Sequence, residues 1–177
     1  CNPVTFQALS TAKTDEERDK ASRLPYLQLV GSLLYLSTMT RPDIAYHMSI
    51  LCSYMHDPSP ACYYAAIDLL LYVKHTKHLT LHFTGSKCPP ASIDAKLHPS
   101  ISTCGGLVAY SDASWRKPDE LGYNMFGFVV YFMGAPVSFA AKRLKVVAMS
   151  SAEAEYAGAA YTCKEIVFVR NVLSDLG

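Results

Sequence analysis

Along the chain the spacing of apolar positions changes character twice, and each change marks a different kind of element. From Pro25 to about Thr76 apolar residues recur every three or four positions: Leu27, Val30, Leu33 and Leu34, then Ile44, Met48 and Leu51, then Ile67, Leu70 and Leu71. That is the period of a helix with one buried side, so three helices are predicted. Polar residues punctuate them. In "TRPD" Thr40 can cap and Pro42 can occupy a first turn, and "DPSP", Asp57 to Pro60, gives a second boundary. "LTLHF", residues 79–83, then alternates as a strand does. Upstream, residues 1–24 are polar, and "TDEERDK" reads as a solvated charge run in a tail or linker.

Residues 85–106, "GSKCPPASIDAKLHPSISTCGG", mix Gly, Pro, Ser and Thr without any period, which predicts an inter-domain linker or loop. A second domain is expected from Leu107. Its grammar is different: "LVAYSDASW", "GYNMFGFVVYFMG" and "PVSFAAKR" with "VVAMS" are strand-like runs separated by turn residues, the pattern of an antiparallel meander. Ser150 followed three residues later by Glu153 is a capping-box signature. From Ala152 the apolar residues Tyr156, Ala159, Cys163, Ile166, Val167 and Leu173 carry a helix to the chain end. The predicted fold class is α+β, or α/β: a small helical N-terminal region, then three antiparallel strands and a helix.

At 177 residues, half of them hydrophobic, the chain can bury one medium core or two small ones, so a soluble globular protein is expected. The longest apolar runs, "LVGSLLYLSTM" and "AAIDLLLYV", fall short of the roughly 20 residues of a membrane span, so no membrane partner is expected. The N-terminal residues lack the basic start and apolar core of a secretory signal, which predicts an intracellular protein. Six cysteines without a CxxC pair suit reduced thiols. A net charge of +1 leaves any polyanionic partner to local clusters, of which "KRLK" (Lys142, Arg143, Lys145) is the clearest; it fits phosphate contacts or an ordinary turn between strands. His75, His78, His82 and Cys88 match no compact zinc spacing and read as surface side chains. Trp115 reads as core rather than as a platform for a base.

Two carboxylates are candidates for chemistry. Asp112 follows the strand-like run "GLVAY", and Glu155 lies on the last helix. Glu153 has a role as box partner of Ser150, whereas Glu155, about 100° per residue further round, shares its side with Ala152, Ala159, Ile166 and Leu173 and is predicted to face the sheet edge. Two carboxylates held together repel unless a cation lies between them, and Mg²⁺ takes oxygen ligands. The alternative is an unrelated strand-end Asp and a solvated helix Glu.

"YSDASW", "MSSAEAEYAGAA" and, upstream, "LVGSLLYLSTMTRPDIAYHMSIL" resemble the C-terminal part of the polyprotein of copia-type retrotransposons, where reverse transcriptase is followed by ribonuclease H. The resemblance assigns residues 25–84 to the thumb or connection of the polymerase and 107–177 to the start of a ribonuclease H-like domain. It implies divalent-metal hydrolysis of RNA in RNA–DNA hybrids, Asp112 and Glu155 as catalytic ligands of Mg²⁺ or Mn²⁺, and the rest of the reverse transcriptase polyprotein as partner. Intracellular location then means a cytoplasmic particle or the nucleus. Ser114 stands where the family commonly repeats an acid, and the polymerase's paired aspartates and the family's later carboxylates are absent from these 177 residues. The resulting expectation is a piece of a larger protein with weakly bound metal, inactive alone. The alternative is a non-catalytic relic or nucleic-acid-binding piece.

Overall fold

Thr14 opens the first helix, α1 (Asp15–Ser22): its Oγ1 accepts from the Glu17 amide at 3.2 Å, and the Glu17 carboxylate accepts from the Lys13 amide at 2.8 Å. Reciprocal capping of this kind satisfies amides that a helix leaves unpaired, and Asp15, Glu16 and Glu17 lie where the helix dipole favours negative charge. The charge run is therefore a helix, which corrects the reading of residues 1–24 as a tail. Ahead of it Phe6, Leu9 and Ala12 are buried, the Tyr54 hydroxyl donates to the Leu9 carbonyl at 2.9 Å, and Thr11 pairs with Pro58. The computed structural model describes residue 6 and residues 9–83, 106–115 and 124–176. Two compact units result, Cys1–Thr80 and Leu81–Gly177.

In the first unit α2 (Tyr26–Met39), a short 3₁₀ turn (Pro42–Ile44), α3 (Ala45–Ser53) and α4 (Pro60–His75) pack together with α1. Tyr26, Val30 and Leu33 face inward from α2, Ile44, Met48 and Leu51 from the turn and α3, and Cys62, Ala65, Ala66 and Leu69 from α4. The three predicted helices are present, but not every predicted core position is. Leu27 is 54% exposed and Leu71 44%, because α2 and α4 are apolar almost all round and the small Cys62, Ala65 and Ala66 let neighbours come closest on another side. Thr40 ends α2 rather than capping the next element, and Pro42 starts the 3₁₀ turn after Arg41. Residues 79–83 are in no strand, since alternation supplies a face but not the paired backbone a strand requires, and Leu79 and Phe83 are exposed. The predicted linker 85–106 lies outside the described residues except for Gly106.

The second unit is a three-stranded antiparallel sheet of order β1–β2–β3: β1 (Leu107–Ser114), β2 (Met125–Phe132) and β3 (Ala135–Arg143). Met133 and Gly134, both at positive φ (50° and 80°), turn β2 into β3 as a two-residue hairpin whose twist matches the strands. α5 (Ser151–Leu176) packs on β1 and β2. Phe126, Phe128, Val130, Leu144, Ala148 and Ala154 form the core between them. Among the described residues no helix is long and apolar enough to cross a membrane.

Candidate metal centre at the β1 edge

Which side chains α5 meets is decided at Gly158. A Cβ built there would stand 3.3 Å from the Phe126 Cβ and 3.4 Å from the Ala113 Cβ, so the absent side chain lets helix and sheet approach this closely. A glycine within a helix costs about 1 kcal/mol relative to alanine, and the close approach is its return. Asp112 is the residue before Ala113, and Glu155 lies about one turn before Gly158. This contact of α5 with β1 therefore lies one residue from Asp112 along the strand and three residues from Glu155 along the helix.

Two further contacts fix the site's approaches. The Trp115 indole N–H donates to the Ala148 carbonyl at 3.1 Å, tying the end of β1 to the segment that leads into α5. Trp115 is 45% exposed, so it is a tether at the margin rather than the core residue expected. The Ser150 hydroxyl accepts from the Glu153 amide at 3.2 Å, while the Glu153 carboxylate accepts from the Met149 amide at 2.7 Å, one residue further back than in the simplest capping box. Glu153 is committed to its helix end. Glu155 is not part of that cap.

The flank on which Glu155 lies follows from the helix's other contacts. Tyr161 stacks on Phe126 of β2 at 5.1 Å between centroids, and Glu165 accepts from the Ser138 hydroxyl of β3 at 3.3 Å. Ala154, Gly158 and Thr162 form the buried centre line of α5. By the turn of about 100° per residue, Glu155 lies on the opposite flank from Tyr161 and so on the side of β1, which carries no second neighbour among the described strands. Ala159 and Ile166 lie on that flank too, half-buried rather than central. Pairing of Ala113 with Phe126 and Asp112 with Gly127 puts Asp112 on the sheet face away from α5. Both carboxylates are exposed. They can share an ion only around the open edge of β1, not through the sheet.

Two carboxylates suit a hard divalent cation, since Mg²⁺ is commonly held through one or two carboxylates and keeps several waters. Asp112 and Glu155 are two carboxylates of that kind. Among the described residues no group of three or more His, Cys, Asp or Glu side chains gathers where it could hold a metal ion.

The basic cluster is divided by the same alternation. Lys142 pairs with Phe126 and lies on the α5 face, its Nζ 5.7 Å from the Phe128 ring centroid; Arg143 pairs with Met125 and shares the Asp112 face. Leu144 between them and Lys145 is fully buried, and Lys145 is exposed beyond the strand. Three cations adjacent in sequence therefore do not make one patch.

Sequence reasoning missed a different cluster, in the helical unit. Arg41, only 5% exposed, donates from Nε and Nη2 to the two oxygens of Asp43 at 2.9 and 2.7 Å, and Nη2 also donates to the Thr76 hydroxyl at 2.6 Å. The Tyr72 hydroxyl donates to Asp43 at 3.0 Å, and the guanidinium lies 5.6 Å over the Tyr72 ring. The hydrogen bonds from Arg41 hold the Asp43 carboxyl below its usual range. In "TRPD" the local signal for this cluster is an Arg and an Asp two apart, spanning a turn.

The helical unit and the helix-backed sheet with a carboxylate pair flanking an open strand define an α+β protein of two small parts. Most of the chain is similar to a stretch of the retrovirus-related Pol polyproteins of transposons. It is 30% identical over 164 residues to the retrovirus-related Pol polyprotein from transposon TNT 1-94 of Nicotiana tabacum, covering 93% of this chain and 11% of that protein. Against the Pol polyprotein from transposon RE1 of Arabidopsis thaliana it is 36% identical over 154 residues, 86% of this chain and 9% of that protein. It is also 32% identical over 146 residues to Secreted RxLR effector protein 161 of Plasmopara viticola, covering 82% of this chain and 92% of that protein. The chain spans about a tenth of the length of the Pol polyproteins it matches. No protein-family model and no solved structure matches it.

Proposed function

We propose that this piece of a retrotransposon Pol polyprotein joins the end of the reverse transcriptase region to the start of a ribonuclease H domain, and that Asp112 and Glu155 are its metal ligands for hydrolysing RNA in RNA–DNA hybrids. The observation that supports this reading is the approach of β1 to α5 at Ala113 and Gly158, one residue from Asp112 along the strand and three residues from Glu155 along the helix. A bound divalent ion would supply an activated water and offset charge on the leaving oxygen. Asp112 and Glu155 would each offer carboxylate oxygens to it at the β1 edge, and Gly158 and the Trp115–Ala148 hydrogen bond keep strand and helix in register for that purpose. Arg143, on the Asp112 face, and Lys145 would meet hybrid phosphates, whereas Lys142, on the α5 face, would reach them only separately. With this reading go the rest of the polyprotein as partner and an intracellular location.

With two carboxylates the expected affinity for Mg²⁺ or Mn²⁺ is about millimolar. Calorimetric titration of the wild type, Asp112→Asn, Glu155→Gln and Glu153→Gln tests the assignment. Heat should vanish in the first two variants and persist in the third; equal heats from wild type and Glu155→Gln would sink the site, and loss at Glu153→Gln would move it. A second reading, hybrid binding without cleavage, is favoured by the absence of a third ligand among the described residues. It would be supported if hybrid binding survived Asp112→Asn while no cleavage occurred with either protein.

A further inference from the structure

Phe6 and residues 9–12, ahead of α1, lie against the helical unit as a strap. Phe6, Leu9 and Ala12 are buried at intervals of three. The backbone of the strap is held by side chains rather than by a sheet. The Leu9 carbonyl accepts from the Tyr54 hydroxyl at 2.9 Å, the Ser10 carbonyl from the Cys62 thiol at 3.6 Å, and the Ala12 carbonyl from Arg18 Nη2 at 3.4 Å. Thr11 adds a single bridge to Pro58. A segment fastened by isolated contacts of this kind opens locally while the helices beneath it stay folded.

The end of the strap rests on a histidine. Phe6 meets His47 of α3 edge-on, with 4.7 Å between ring centroids. His47 Nδ1 is buried and has no hydrogen-bond partner among the described residues. With its proton on Nε2 the neutral ring leaves only an unused acceptor there, whereas a second proton turns Nδ1 into a buried donor with nothing to receive it. No free acid stands ready to compensate. Phe6 to Ala12 carry no charged side chain, and α3 holds no Asp, Glu, Lys or Arg. Asp43, just ahead of α3, has both oxygens engaged by Arg41 and Tyr72. Tyr46 and Cys52 are the other titratable side chains of α3, and the Tyr46 ring lies edge-on 5.6 Å from His47. Burial holds the His47 pKa below its ordinary value; the chain's α-amino group adds to this and Asp43 opposes it.

We propose that Phe6 and His47 form a proton-sensitive latch: on taking up a proton the His47 ring turns out to water, Phe6 loses its seat, and the strap lifts from α3 and α4 and uncovers the Cys62 thiol. The closed strap binds fewer protons than the open one. Opening is therefore suppressed above the ordinary histidine value of about 6.5 and grows as pH falls below it, by at most about tenfold per pH unit for one proton. Asp43 titrates in the carboxylate range, further into acid, so the two responses separate. The latch lies wholly in the first unit and is independent of the metal ligands of the second.

The test uses the full chain and its own cysteines. Cys62 is fully buried beside the strap and Cys163 is exposed on α5. Labelling by N-ethylmaleimide, read at each site by peptide mass spectrometry, gives the Cys62 rate relative to Cys163, which carries the pH dependence of the thiol reaction itself. Between about pH 7.5 and 5.5 this ratio should rise about tenfold in the wild type, with helix content by circular dichroism unchanged. His47→Phe keeps a ring for Phe6 to meet but takes no proton, and should give a low ratio at both ends of the range. Phe6→Ala should give a high ratio at both. A flat ratio in the wild type, or the same rise in His47→Phe, would overturn the latch. So would a rise accompanied by loss of helix content, which would mean that the whole unit unfolds. A rise that disappears when the α-amino group is acetylated would assign the proton to that group and overturn the role of His47.

Discussion

At Arg41 and Trp115 single side chains tie together segments that the sequence keeps apart. Trp115 reaches Ala148 across 33 positions and Arg41 reaches Thr76 across 35. Trp115→Phe keeps the ring and removes the N–H, leaving the Ala148 carbonyl without its donor. It should cost about 1 kcal/mol, seen as a lower denaturation midpoint of the sheet unit, and should weaken Mg²⁺ binding alongside. Asp43 sets a dependence on acid. Because its folded pKa lies below the unfolded value, the unfolded chain binds more protons in that window, and the stabilisation is complete above about pH 4 to 5 and lost as pH falls through the folded value. Urea unfolding of wild type and Asp43→Asn between pH 6 and 3 should show the wild type losing its advantage as acid is added. A constant difference across that range would exclude Asp43 as the group responsible. Such residues are illegible in sequence because a hydrogen bond across more than thirty positions has no local pattern.

Among the elements, caps and periods were legible to different degrees. The box at Ser150 and Glu153 was readable and is present; the same spacing at Thr14 and Glu17 was just as readable but was masked by its surroundings of charge. Thr14→Ala should remove about 1 kcal/mol of helix stabilisation, detected as faster amide exchange in α1. The α5 flank of Glu155 was predictable from the helical turn, but the role of Gly158 was not, because a glycine within a helix signals a reason without naming it. Gly158→Val should force α5 from β1 and cost about 1 to 3 kcal/mol, with exchange of β1 and α5 amides speeding up together. If Gly158→Val were as stable as wild type, the close approach would not govern the site.

At the scale of the whole molecule the chain makes two cores. One is gathered around Val30, Leu33, Met48, Leu51 and Leu69, the other around Phe126, Phe128, Val130 and Leu144. Tyr26 belongs to the first: its buried hydroxyl donates to the Leu51 carbonyl at 2.8 Å, and burial raises its pKa. Tyr26→Phe should cost about 1 kcal/mol, reported by amides of α2 and α3. The sequence by itself determined the kinds of element, three central helices, a strand meander and a capped final helix, because those depend on spacing within a few residues. It also determined the flank of Glu155 on its helix. Tertiary structure decided which faces of the all-apolar α2 and α4 are buried, that the N-terminal charge run folds, that Asp112 lies on the sheet face away from α5, and that Lys142 and Arg143 part to opposite faces. The reason is physical: period sets how a segment repeats, but only the partner it packs against selects the side that leaves water.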